Sequence, residues 1–149
     1  MNYTIIVPFY NEEKNISSFN NELINNLKKI DDGERSLEII YVDDGSNDKT
    51  FEELKKLNTN IFETLIIKHR ANLSQSAAIN TGIHQSKYEN IIIMDGDLQN
   101  DPNDLSKMVT AFEKGTDMLI GWRKHRKDNF FTKTAPSTIA NFIVRLFSK

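Results

Sequence analysis

Ile91-Ile-Ile-Met-Asp-Gly-Asp-Leu-Gln99 runs from an apolar stretch straight into two carboxylates and an amide. Three consecutive β-branched residues, too short a run for an ordinary helix, predict a strand buried on both faces of a parallel sheet. The carboxylates then sit at its C-terminal tip, the edge of an open α/β sheet at which ligands bind. Asp95 and Asp97, two apart in extended chain, share a side, and Gly96 between them lets backbone or ligand come close. Two carboxylates on one side repel each other unless a cation lies between them. A hard divalent ion takes one or two carboxylates plus substrate phosphates, so the motif points to a metal–diphosphate site. The competing reading is a loop in which Asp97 and Asp101 cap the next helix.

Working outward, the chain alternates short β-rich runs with helical stripes. Tyr3 to Val7 is a strand closed by Pro8, and Asn11-Glu-Glu is a cap with acidic first-turn residues. The helix that follows carries Ile16, Phe19, Leu23, Leu27 and Ile30 on one face and ends at Asp31-Asp-Gly33. Leu37 to Val42 is the second strand, and Asp48 beyond its turn caps a helix with Phe51, Leu54 and Leu57. Phe62 to Ile67 is the third strand; a polar link through Asn72 leads to Ser74, the cap of a helix in which Ala78 and Gly82 permit close packing. After the Ile91 strand, Asp101-Pro102 opens a helix with Leu105, Met108, Val109 and Phe112, and Asp117 to Gly121 is a fifth strand. Strands alternating with helices, without hairpin signals, imply an α/β fold: a mostly parallel, Rossmann-like sheet with right-handed crossovers and helices on both faces.

With 149 residues, one domain is expected. The absence of cysteine excludes disulfides, thiolate metal sites and cysteine nucleophiles, and His69, His84 and His125 show no ligand spacing. No apolar run approaches the roughly 20 residues that cross a bilayer, and no basic signal sequence precedes the first strand. The chain is therefore expected in the cytoplasm, at most peripheral at the cytoplasmic face of the membrane. The formal charge of −2 is uneven: Trp122 to Lys149 carries seven Lys/Arg against one Asp, net +6, leaving −8 elsewhere. A basic end on an acidic body suits an anionic partner such as phosphate or a membrane surface, a solvated tail being the alternative; no nucleic-acid partner is expected.

Three motifs in register, Val7-Pro-Phe-Tyr-Asn-Glu12, Tyr41-Val-Asp-Asp-Gly-Ser46 and Met94-Asp-Gly-Asp-Leu-Gln99, resemble those of the family 2 inverting glycosyltransferases with a GT-A fold. Asp97-Leu-Gln99, Gly121-Trp-Arg123 and the stretch from Arg126 to Asn141 are similar to the polyprenyl-phosphate hexose synthases, the group that contains dolichyl-phosphate mannose synthase. The resemblance implies that Pro8, Tyr10 and Glu12 line a nucleoside pocket, with Tyr10 packed on the base. It implies that Asp44 accepts hydrogen bonds from base or ribose, while Asp43 serves the turn. Asp95, Asp97 and Gln99 would surround a Mg²⁺ or Mn²⁺ ion bridging the diphosphate, with Asp97 the direct ligand, Gly96 between them, and Arg123 on the phosphates. The two parts are then a nucleotide-sugar-binding core, 1–121, and a basic acceptor-side segment, 122–149, of the same domain.

The implied reaction moves a hexose from a UDP- or GDP-sugar to a polyprenyl phosphate with inversion. Metal and Arg123 would stabilise the charge developing on the leaving diphosphate. The acceptor phosphate, already largely ionised because its second pKa is about 6, needs cationic placement by Arg126 and Lys133 instead of a strong base. Family members continue well past Lys149, so a truncated, catalytically silent nucleotide-sugar-binding domain or partner of a complete transferase is the alternative. A phosphatase using Asp95 and Asp97 leaves the Asp44 and Tyr10 motifs without a role, and a dehydrogenase lacks a G-x-G-x-x-G after the first strand. Finally, Ile139, Phe142, Ile143, Leu146 and Phe147 form an apolar stripe on a helix that Ser137 caps, with Arg145 and Lys149 off it. That helix is expected to dock on anionic membrane or to pair with another copy as a homodimer, a core-facing stripe being the competing reading.

Overall fold

The computed structural model describes residues 1–96, 104–116, 118 and 119. Residues 1–119 form one compact unit and 120–149 a second, which lies outside the described residues. Among the described residues four strands and four helices alternate: β1 (Tyr3–Phe9), α1 (Ile16–Ile30), β2 (Leu37–Asp43), α2 (Thr50–Lys55), β3 (Glu63–Lys68), α3 (Gln75–Gln85), β4 (Asn90–Ile93) and α4 (Leu105–Phe112). The pairings among the described residues are all parallel, in the order β3-β2-β1-β4. The chain winds outward from β1 to β3 and then crosses back to β4. The β1/β4 boundary is thus the point at which the winding reverses, where such sheets open a crevice beyond the strand tips.

Strand alternation sorts the core into two layers. Ile5, Val7 and Phe9 of β1 join Ile39 and Tyr41 of β2 against the α1 stripe Ile16, Phe19, Leu23, Leu27 and Ile30, with Leu54 of α2 and Leu105 and Val109 of α4. On the opposite face Ile6, Ile40 and Val42 pack with Ala78 of α3. The small residues of α3 act as anticipated, since a Cβ on Gly82 would lie 2.5 Å from Ile6 Cγ2.

Several local expectations change. β1 does not stop before Pro8 but runs through it to Phe9. Phe9 O accepts from Asp44 N on the β2 side, and Ile6 O from Met94 N on the β4 side. By alternation Pro8 faces β4, and its missing N–H falls at the rung after Ile6 with Ile93, where the β1–β4 pairing ends. Asn11 does not cap α1, whose N-cap is Asn15. It takes a left-handed turn (φ 55°) that asparagine tolerates. Asp48 stands one residue before the N-cap of α2, yet its Oδ1 accepts from Thr50 N at 2.9 Å. Ser74 caps α3 as expected, its Oγ accepting from Ala77 N. Asp101 and Pro102 lie outside the described residues, as do Asp117, Ile120 and Gly121 of the expected fifth strand; Met118 and Leu119 carry no strand pairing among the described residues.

Candidate active site at the strand tips

The main chain aligns four tips. Asp44 N donates to Phe9 O, His69 N to Asp43 O and Met94 N to Ile6 O. Tyr10, Asp44, His69 and Asp95, each just past its strand, are thereby brought to one edge of the sheet. Two loops are then laced together. Asn11 N donates to Ser46 Oγ (2.9 Å) while Asn11 Oδ1 accepts from Asn47 N (2.9 Å). Glu12 N donates to Thr50 Oγ1 and Lys49 N to Glu13 Oε2. These bonds occupy amides that a loop would otherwise leave unpaired and fix the frame around the tips.

Asp44 is the most heavily bonded side chain of the edge. Its Oδ1 accepts from His69 Nδ1 at 2.7 Å and from Leu73 N at 3.0 Å, and its Oδ2 from Ser74 N at 2.9 Å. Burial alone would raise its pKa, and this is the largest single influence. The bonds from His69, Leu73 and Ser74 together outweigh it and hold the carboxyl below the usual carboxylate range. Asp43 has a different task. Its Oδ1 accepts from Ser46 N at 3.0 Å, closing the turn, and its buried Oδ2 has no hydrogen-bond partner among the described residues. Lys68 Nζ stands 3.8 Å from that oxygen and also lies over the Phe51 ring.

Tyr10 is 43% exposed, an aromatic face open at the tip of the central strand. Pro8 is buried within β1, and Glu12 is half-buried with its Oε2 accepting from Asn15 Nδ2 at 2.5 Å. At the β4 tip, Gln75 Nε2 donates to Asp95 Oδ1 at 2.6 Å. Gly96 is needed for packing: a Cβ there would fall on the Phe9 ring, which is itself set edge-on to Phe19. That contact presses the chain onto the core immediately after Asp95. Asp97, Gln99, Arg123, Arg126 and Lys133 lie outside the described residues. Among the described residues no three His, Cys, Asp or Glu side chains gather as a metal cluster. Asp95 supplies hard carboxylate oxygen of the kind Mg²⁺ or Mn²⁺ takes, at a tip where Gly96 leaves no side chain of its own.

Sequence reasoning missed His69, Leu73, Ser74 and Gln75 as parts of this edge. By pattern alone this stretch reads as a polar link and a helix start. Their partners Asp44 and Asp95 are 20 to 30 residues away along the chain, so no local pattern announces the contacts.

Known proteins resemble this chain in sequence and in fold. A dodecaprenyl-phosphate galacturonate synthase of Rhizobium johnstonii is 35% identical over 143 residues, covering 95% of this chain and 41% of the relative. The chain thus spans about two fifths of that protein's length. Among solved structures, S. aureus TarS 1-349 superposes with a TM-score of 0.62 at 25% identity, over 89% of this chain and 40% of that one. The mannosyltransferase PcManGT from Pyrobaculum calidifontis, in complex with GDP-Man and Mn²⁺, gives 0.56 at 26% identity, over 64% and 27%. The glycosyl transferase family 2 model matches residues 4–149, taking in the strands, their tips and the laced loops alike, and the chain belongs to that family.

Proposed function

We propose that the chain carries the donor-binding half of a polyprenyl-phosphate hexosyltransferase, which moves a hexose with inversion from a UDP- or GDP-sugar to a polyprenyl phosphate. The observation that carries the reading is the convergence of Tyr10, Asp44 and Asp95 on the crevice edge of a family 2 sheet. Support for the acceptor class comes from the galacturonate synthase, named for a dodecaprenyl phosphate; support for the donor and ion comes from the GDP-Man and Mn²⁺ in PcManGT.

In this reading Tyr10 packs on the base and Pro8 and Glu12 back it, while Asp44, an acceptor-only carboxylate, takes an N–H or O–H of base or ribose. Asp95, Asp97 and Gln99 would hold Mg²⁺ or Mn²⁺, Gly96 setting their approach; when bound, the ion supplies positive charge to the diphosphate. Arg123 binds the diphosphate through its guanidinium fork, and Arg126 and Lys133 place the acceptor phosphate. The protein would work at the cytoplasmic face of a membrane, its basic segment 122–149 toward the lipid. No helix among the described residues is long and apolar enough to cross a bilayer.

Incubation with labelled UDP- and GDP-hexoses, Mn²⁺ and polyprenyl phosphate, followed by solvent extraction, tests the proposal. Lipid-linked sugar that disappears with EDTA and in Asp97→Ala is the expected result. Calorimetric binding of nucleotide without any transfer would instead make the chain a silent nucleotide-sugar-binding domain. Equal nucleotide affinity in EDTA would remove the metal from the account.

A further inference from the structure

We infer that His69 is a positioning residue for the nucleoside end of this site: held between Thr81 and Asp44, its imidazole fixes which oxygen of Asp44 is left for a bound nucleotide. The inference rests on the nucleoside-diphosphate reading above.

A carboxylate offers about four lone-pair positions. In Asp44 three are filled, two on Oδ1 by His69 Nδ1 and Leu73 N and one on Oδ2 by Ser74 N. Among the described residues one acceptor position therefore remains unfilled, on Oδ2. The His69 ring is only 9% exposed, and its other nitrogen, Nε2, lies 2.9 Å from Thr81 Oγ1 on α3. An ionised carboxylate can only accept, so Nδ1 must carry the hydrogen. In the neutral ring Nε2 then accepts from the Thr81 hydroxyl. The His69 main chain is fixed separately, its amide donating to Asp43 O at 2.8 Å. The ring is thus a rigid spacer between a helix and the β2 tip. Without its Nδ1 donor, Oδ1 keeps only the Leu73 amide, and the carboxylate can turn away from the single-acceptor pose.

Two near-isosteres separate the two nitrogens. The amide nitrogen of His69→Asn falls near the Nδ1 position and keeps the Asp44 bond, whereas that of His69→Gln reaches the Nε2 position and loses it. The 149-residue chain would be titrated with UDP and with GDP in Mn²⁺ by calorimetry, with ¹⁵N NMR of the wild-type imidazole alongside. Expected are a ring in the Nδ1–H tautomer, His69→Asn binding within about threefold of wild type, and His69→Gln weakened about tenfold, the scale of one hydrogen bond to a charged acceptor. Thr81→Val, which removes no donor to Asp44 but frees the far side of the His69 ring, should weaken binding about threefold. An Nε2–H ring, equal binding by the two His69 variants, or unchanged binding by Thr81→Val overturns the inference alone. A wild-type chain that binds neither nucleotide overturns the nucleoside-diphosphate reading, and the inference with it.

Discussion

Replacing Ser74 by glycine is expected to stabilise the protein, although glycine is ordinarily a slightly poorer helix cap than serine. Ser74 has φ 124° and ψ 156°, a region open essentially to glycine alone, and occupying it costs a side-chain-bearing residue about 1–3 kcal/mol. The strain is held in place because Ser74 N donates to Asp44 Oδ2 and Ser74 Oγ accepts from Ala77 N at 3.3 Å. Glycine removes the strain. Against that, it loses a long cap bond, worth a few tenths of a kcal/mol in this exchange, and adds about 0.4–1 kcal/mol of unfolded-chain entropy. The balance favours Ser74→Gly by about 1 kcal/mol, or roughly 3 °C in Tm for a chain of this size. Ser74→Ala keeps the strain and loses the cap, so it should be less stable than wild type by about 1 kcal/mol. Urea unfolding followed by circular dichroism, with equal m-values checked, ranks the three. The order Gly, Ser, Ala supports the strain. The order Ser, Gly, Ala, which an unstrained cap would give, refutes it and with it the geometry that ties the α3 start to Asp44.

Acid stability should report on Asp44 directly. Its native pKa lies below the unfolded value of about 3.9, so its contribution is complete above that value and is lost as pH falls through the depressed native pKa. Urea midpoints measured from pH 7 to pH 2 should stay level to about pH 4 and then fall, with a shallower fall in Asp44→Asn; parallel curves would contradict the assignment. Gly96→Ala should cost about 1–3 kcal/mol, because the new methyl meets a Phe9 ring already packed on Phe19 and Tyr41. Restoration of stability by the pair Gly96→Ala with Phe9→Leu would identify the ring as the obstacle, and an unaffected single variant would refute the contact.

Much of the fold was legible from local pattern. The α1 stripe Ile16, Phe19, Leu23, Leu27 and Ile30 is buried as its spacing required, and the β-branched runs became parallel strands, although the Ile91 run is only part-buried, with Ile93 46% exposed, and not buried on both faces. Ser74 as a cap and Gly82 as a close-packing residue were equally visible, since each depends on a residue type within a helix. Periodicities of 2 and 3.6 are properties of neighbouring residues, and sequence displays neighbours. The resemblance points to Asp44, Tyr10 and Asp95 as site residues, and their surroundings were decided elsewhere. That β1 continues through Pro8 follows from its β2 side, where the pairing runs on through Val42 to Asp43. Asn11 turns left-handed because its backbone and side chain meet Ser46 and Asn47 of another loop. His69 and the amides of Leu73 and Ser74 close on Asp44 from 25 to 30 residues away. Such bonds exist only once parallel crossovers have brought separate strand ends to one edge, and the polar atoms stranded there must find partners across loops that no local pattern connects.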